Sequence, residues 1–199
     1  MSVTAYLTAY NAVSLVLWSY LLYTARLFHN YSIRLVGKVP HRLLVQTQVF
    51  NSGIEIFHSL LGLVATPVAT MILQSLARLL IVVGICWKLP QSPGNYHFWA
   101  FTGIQLAWGI TEVVRYGFYV LKLVGVRVPR WLTWLRYSTF IVLYPLGLVS
   151  ELTVVYLSLG SASGLYYYFL VFALAMYIPG FLRLYGHMFK QRRKALARR

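Results

Sequence analysis

Three acidic residues stand in this 199-residue chain, Glu55, Glu112 and Glu151, and each lies inside a stretch that is otherwise mostly apolar. Three arginines, Arg78, Arg115 and Arg136, lie in similar stretches. Ionisable side chains in apolar surroundings are costly, seek one another, and mark polar cavities. The sharpest pattern is LYPLGLVSEL at 143–152. Residues seven apart on a helix return to nearly the same azimuth, about 10 Å along the axis, so Tyr144 and Glu151 share a face. Pro145 removes a backbone donor and Gly147 removes a side chain, which predicts a kink with room for a ligand. Tyrosine with glutamate is a plausible acid–base pair, because a carboxyl group in apolar surroundings can take or give a proton near neutrality. Such a pair suits β-elimination of water, one group removing the proton α to a thioester and the other protonating the departing hydroxyl. The same charges also admit a second reading: structural ion pairs in a non-enzymatic membrane protein, a transporter or an assembly partner.

Two further clusters bear on that choice. In WGITEVVRYGFY, Glu112 and Arg115 are i,i+3 neighbours and Tyr119 continues their face. They form either an ion pair that eases membrane insertion or a charged wall with Arg115 available to an anionic substrate. In NSGIEIFHS, Glu55 and His58 have the E-x-x-H spacing of di-iron helix bundles. Such a site needs a second motif and more carboxylates than this chain has, so no metal is expected and the two should form a structural hydrogen-bonded pair. His29, His41, His58, His97 and His187 are scattered. Cys86 is the only cysteine, so no internal disulfide is possible. It is not a C-x5-R phosphatase nucleophile, because Ser92 stands where the arginine would be, and packing is its expected role. No nucleotide fingerprint or Ser-His-Asp order is present, and no cofactor is expected.

The elements that must position these groups are membrane helices. Hydrophobic residues make up 59 % of the chain and charged ones 11 %, less than half the share of an ordinary soluble domain. Six stretches approach the roughly 20 apolar residues that a span needs: about 6–25, 44–64, 67–87, 98–121, 131–157 and 165–186. The second is the most polar, and Pro67 suits the first turn of the third. The expected fold is all-α, a single polytopic bundle of six transmembrane helices with a basic tail at 187–199. The formal charge of +15 sits mostly between the spans and in the tail, which fits contact with the anionic bilayer surface rather than nucleic acid. No cleavable signal peptide is expected, so the first run would be retained. Six charges after Gly186, with Lys122, Arg127 and Arg130, place both termini in the cytosol by the positive-inside rule. The basic 26–42 connection argues the other way.

Several stretches, in order, resemble one family: YLTAYNAVSLVLW, VQTQVFNSGIEIFHSLLGLV, QSLARLL, EVVRYGFYVL and WLRYSTFIVLYPLGLVSE. These are similar to the very-long-chain (3R)-3-hydroxyacyl-CoA dehydratases, also called protein-tyrosine-phosphatase-like proteins, from about residue 6 to 151. The resemblance implies a six-span protein of the endoplasmic reticulum membrane. It would convert a long-chain 3-hydroxyacyl-CoA to the trans-2-enoyl-CoA, the third step of fatty-acid elongation, beside the condensing enzyme and the reductases of that cycle. It places the catalytic pair on Tyr144 and Glu151 and supporting roles on Arg78, Glu112, Arg115 and Gly147. The chain departs from the family pattern at Ile54 with its upstream NSG, at Ala77 before Arg78, and in a tail, KALARR, without a dilysine retrieval signal.

Overall fold

A computed structural model of the protein describes residues 2–31, 41–64 and 68–197, without the side chains of 25–31, 69, 70 and 73. Most of the basic 26–42 connection and Pro67 therefore lie outside the described side chains. The described residues form helices without strands, as the composition predicts. They are α1 (Val3–Tyr31), α2 (Arg42–Leu60), α3 (Val68–Leu79), α4 (Phe98–Leu123), α5 (Arg130–Ser138), α6 (Phe140–Ser158) and α7 (Gly164–Ala197). A π-helical segment, Leu80–Trp87, continues α3, and a 3₁₀ turn, Pro93–Tyr96, leads into α4.

Helix α4 is the hub, packed between α1 on one side and α6 on the other. Helices α2 and α3 lie side by side, with α2 also against α1, while α7 covers α6 and α5. Small residues allow the close crossings, as they do between membrane helices. A Cβ on Gly103 of α4 would collide with Ser150 of α6, and one on Gly109 would meet Leu22 of α1. Gly147 of α6 faces Ala107 of α4, where a Cβ would make ordinary contact at 3.4 Å. Gly94 is wedged against the backbone carbonyl of Val154, with Ser92 bonded to Ser158 at 2.6 Å beside it. Cys86 is fully buried in the apolar core with Ile81, Ile85 and Ile104, in the packing role expected of it.

By length and composition three helical stretches are apolar enough to cross a bilayer: Val3–Thr24, Arg130–Ser161 and Gly164–Ala197. Gln74–Trp87 is a shorter apolar helix. The expectation of six spans is met only in part, and α2 shows the physical reason. Its polar residues, including Gln48, Asn51, Ser52 and His58, are buried inside the protein, while Val49, Phe50, Phe57 and Leu60 are exposed. Mean hydropathy therefore undervalues a helix whose polar face is turned inward.

Two local features add to the expectations. Pro145 stands inside α6 without ending it: α6 is continuous from Phe140 to Ser158, and the interruption lies at Thr139, between α5 and α6. Proline cannot donate to the carbonyl four residues back, which here is Ile141. The Tyr185 hydroxyl of α7 donates to that carbonyl at 3.1 Å instead. The π segment was not anticipated. Such segments misalign backbone bonds and recur near functional positions. Here the Gly84 carbonyl accepts a bond from the Tyr166 hydroxyl at 2.7 Å, tying the segment to α7.

Candidate active site

Glu151 stands two turns after Tyr144 on α6 and is buried. Its Oε1 accepts a hydrogen bond from the Trp108 indole Nε1 at 2.8 Å. Residue 147 lies one turn before it, and a Cβ on that glycine would stand 3.9 Å from Oε1, so the glycine leaves space beside the carboxylate. From α7, the Tyr177 hydroxyl lies in the electrostatic field of the same carboxylate and donates to the carbonyl of Ala77 at 3.4 Å. Tyr144 is half-buried, with its ring stacked on Phe181 at 5.0 Å and near-parallel to Tyr185 at 5.9 Å. Its hydroxyl lies in the electrostatic field of Glu151 and Arg78. The acid and the phenol thus stand two turns apart on α6, with Trp108 of α4 bonded to one and Phe181 of α7 stacked on the other.

Glu55, Arg78, Glu112 and Arg115 form a partly buried lattice of charges among the helices. Arg78 of α3 pairs with Glu112 of α4 at 2.5 Å, and its Nη1 is 3.4 Å from Gln48 Oε1 of α2. Arg115 pairs with Glu112 at 2.7 Å, the i,i+3 contact expected from the sequence, and also with Glu55 of α2. Glu55 further accepts from the Tyr116 hydroxyl at 2.7 Å and from Tyr10 at 3.5 Å. Asn51 donates to Tyr10 at 3.0 Å and to Ser14 at 2.7 Å, and accepts from Trp18 at 3.1 Å. Alternation of acid and base keeps each buried charge compensated, which is the condition for placing them in apolar surroundings.

This arrangement revises one expectation and decides between two readings of another residue. Glu55 and His58 are not hydrogen-bonded to each other: Glu55 turns to Arg115 and Tyr116, while His58 bonds Tyr6 at 2.9 Å. A buried guanidinium offers the carboxylate a stronger, charge-assisted partner than a histidine one turn away. For Arg115, read either as the ion-pair partner of Glu112 or as an anion contact, the structure shows the ion pair and adds Glu55 and the Tyr116 hydroxyl as partners. Tyr119 is partly exposed and stands under Arg136, whose guanidinium is 5.8 Å from the ring centroid.

Arg78, Glu112 and Arg115 are thus brought together, as are Tyr144, Gly147 and Glu151. Sequence reasoning did not identify the joint between the two groups, Trp108. The Arg78 guanidinium lies over the Trp108 ring, 5.2 Å from its centroid, while the same indole donates to Glu151. The available signal was its position one turn before Glu112, which places both on one face of α4. Tyr177 carried no comparable signal, because its register against α6 is set by packing between helices distant in sequence.

The profile of the family described as protein tyrosine phosphatase-like protein, PTPLA, matches residues 49–198. The chain is 35 % identical to the very-long-chain (3R)-3-hydroxyacyl-CoA dehydratase PASTICCINO 2A of Oryza sativa subsp. japonica, covering 97 % of this chain and 93 % of the relative. It is 37 % identical to a probable very-long-chain (3R)-3-hydroxyacyl-CoA dehydratase of Schizosaccharomyces pombe, over 95 % and 91 % of the two chains. Against very-long-chain (3R)-3-hydroxyacyl-CoA dehydratase 1 of Canis lupus familiaris the identity is 32 %, over 97 % and 83 %. No solved structure matches the chain.

Proposed function

The chain belongs to the protein tyrosine phosphatase-like family, and from that premise we propose that it dehydrates long-chain (3R)-3-hydroxyacyl-CoA to the trans-2-enoyl-CoA in fatty-acid elongation. The observation that carries the reading is the placement of Tyr144 and Glu151 on one face of α6, in a chain similar over nearly its whole length to dehydratases. Glu151, whose oxygen accepts the Trp108 bond, takes the proton from the carbon α to the thioester. The electrons of that bond form the C2–C3 double bond as the C3–O bond breaks. The Tyr144 hydroxyl gives its proton to the departing oxygen, and water leaves. Return of the proton from Glu151 to Tyr144 resets the pair. The step is redox-neutral and needs no cofactor in this scheme.

Arg78, Glu112 and Arg115 support the pair by fixing α2, α3 and α4 around it, and Gly147 leaves room for the substrate. The polyanionic CoA head meets the basic end of the bundle. There Arg192 of α7 donates to Ser138 of α5 at 3.0 Å, and Arg136 of α5 lies over Tyr119. The acyl chain lies among the helices. In this reading the chain is one six-span domain of the endoplasmic reticulum membrane with both termini in the cytosol. Enzymes that reduce 3-ketoacyl-CoA and enoyl-CoA supply and consume its substrate and product. The test is dehydration of a long-chain 3-hydroxyacyl-CoA by purified protein in detergent. Tyr144→Phe and Glu151→Gln should each lower turnover by about 100-fold or more, in line with removal of a general acid or base. Full turnover in both variants would refute the assignment.

A further inference from the structure

The Glu151 carboxylate is held by residues that the acid–base scheme does not itself use. An indole N–H donates and cannot accept, so the 2.8 Å bond fixes Trp108 as donor and Glu151 Oε1 as acceptor. Trp108 is 4 % exposed, and water has little access to replace that bond. Its ring lies under the Arg78 guanidinium, which is itself held at 2.5 Å by Glu112. The arginine is therefore joined to the acid through an aromatic plane rather than by a direct ion pair. On the other side, the Tyr177 hydroxyl lies in the electrostatic field of the carboxylate and donates to the Ala77 carbonyl, next in the chain to Arg78, at 3.4 Å.

We infer that Trp108 and Tyr177 are positioning residues, which orient the Glu151 carboxylate toward the substrate's α-carbon, and that Arg78 acts on the reaction through Trp108. This rests on the reading of Glu151 as the base. Proton abstraction depends steeply on the geometry of the acceptor. A carboxylate with one donor missing samples orientations in which its oxygen does not meet the C–H bond. Substrate affinity, set by the CoA and acyl contacts, changes little.

Trp108→Phe removes the N–H and keeps an aromatic ring under Arg78, while Tyr177→Phe removes a single oxygen. Each folded variant, assayed beside the parent on 3-hydroxyacyl-CoA carrying hydrogen or deuterium at the α-carbon, should lose about 10- to 100-fold in kcat. That is the range for a hydrogen bond to a charged group. KM should stay within about twofold. The deuterium isotope effect on kcat should rise, because C–H cleavage becomes more rate-limiting, and a merely structural loss of active protein would leave it unmoved. Trp108→His, which keeps a ring N–H, should recover part of the loss. Parent-like kcat and isotope effect in both phenylalanine variants, with Glu151→Gln inactive, would overturn the positioning role alone. Activity in Glu151→Gln and Tyr144→Phe would overturn the acid–base reading beneath it. If Trp108→Phe does not fold, Tyr177→Phe decides, and unchanged kinetics there defeat the proposal.

Discussion

Glu112 answers two arginines at once. Its two oxygens are divided between Arg78 and Arg115, and it is 3 % exposed. Removing its charge takes an anion from two partly buried guanidinium groups, of which Arg115 keeps Glu55, so Glu112→Gln should destabilise the protein by about 2–3 kcal/mol, less than the cost of breaking a fully buried pair from one side. Glu55→Gln should cost less, because Arg115 keeps Glu112 and the amide oxygen can still accept from Tyr116. Thermal unfolding in detergent compares them, and equal shifts would contradict the ordering. His41 makes a separate prediction at the entrance to α2. Its ring stacks on Phe101 of α4 with centroids 3.4 Å apart, and its Nε2 bonds the Asn95 carbonyl at 2.8 Å. Burial pushes its pKa down to about 4, from about 6.5 in an unfolded chain. Between those values the unfolded state binds the proton and the folded state does not, so stability falls as pH drops from 6.5 to 4. Unfolding measured across that window should show a smaller slope in His41→Gln.

The elements depend on how closely backbones approach. Gly94 abuts the Val154 carbonyl, a backbone atom that cannot rotate away. Gly94→Ala should therefore push the 3₁₀ turn from α6 and destabilise the fold by about 1–3 kcal/mol. Gly147→Ala meets only the ordinary contact with Ala107 and should leave the melting temperature near that of the parent. Its effect should appear as a rise in KM, because the added methyl lies beside the Glu151 carboxylate. Helix α7 is joined to α6 by the Tyr185 bond to Ile141 and by the ring stack over Tyr144. Tyr185→Phe keeps the stack and strands the carbonyl freed by Pro145, at a cost of about 1 kcal/mol.

At the scale of the molecule, the polar and apolar surfaces are inverted relative to a water-soluble protein. Charges and amides fill the inside of the α1–α4 contact region, and Val142, Val149, Leu165 and Phe172 face outward. Three stretches meet the length and hydropathy of a span unaided, and the proposal of six adds α2, α3 and α4. The two counts differ in a measurable way: three spans would put the termini on opposite faces of the membrane, whereas six put them on one. Cys86 is the only cysteine and is buried, so a cysteine introduced at Ser2, Gln91 or Lys194 supplies the only accessible thiol. In sealed microsomes an impermeant maleimide should label the Ser2 and Lys194 positions, and Gln91 only after permeabilisation. Labelling of one terminus alone would favour the odd count.

Helical class, stretches apolar enough to cross a membrane, and the shared face of Tyr144 and Glu151 were legible from the sequence, because each follows from local periodicity and composition. The Glu112–Arg115 pair was legible for the same reason, as neighbours on one helix. What lies between helices was not. That Glu55 prefers Arg115 to His58, that Tyr185 supplies the donor Pro145 lacks, and that Trp108 joins Arg78 to Glu151 are contacts across 60, 44 and 43 positions of chain. Periodicity gives the face on which a residue stands. The register in which two helices cross is set by where small residues permit close approach, here Gly103 against Ser150 and Gly147 against Ala107. The chain by itself determined which groups were available for chemistry. Tertiary packing decided which of them meet.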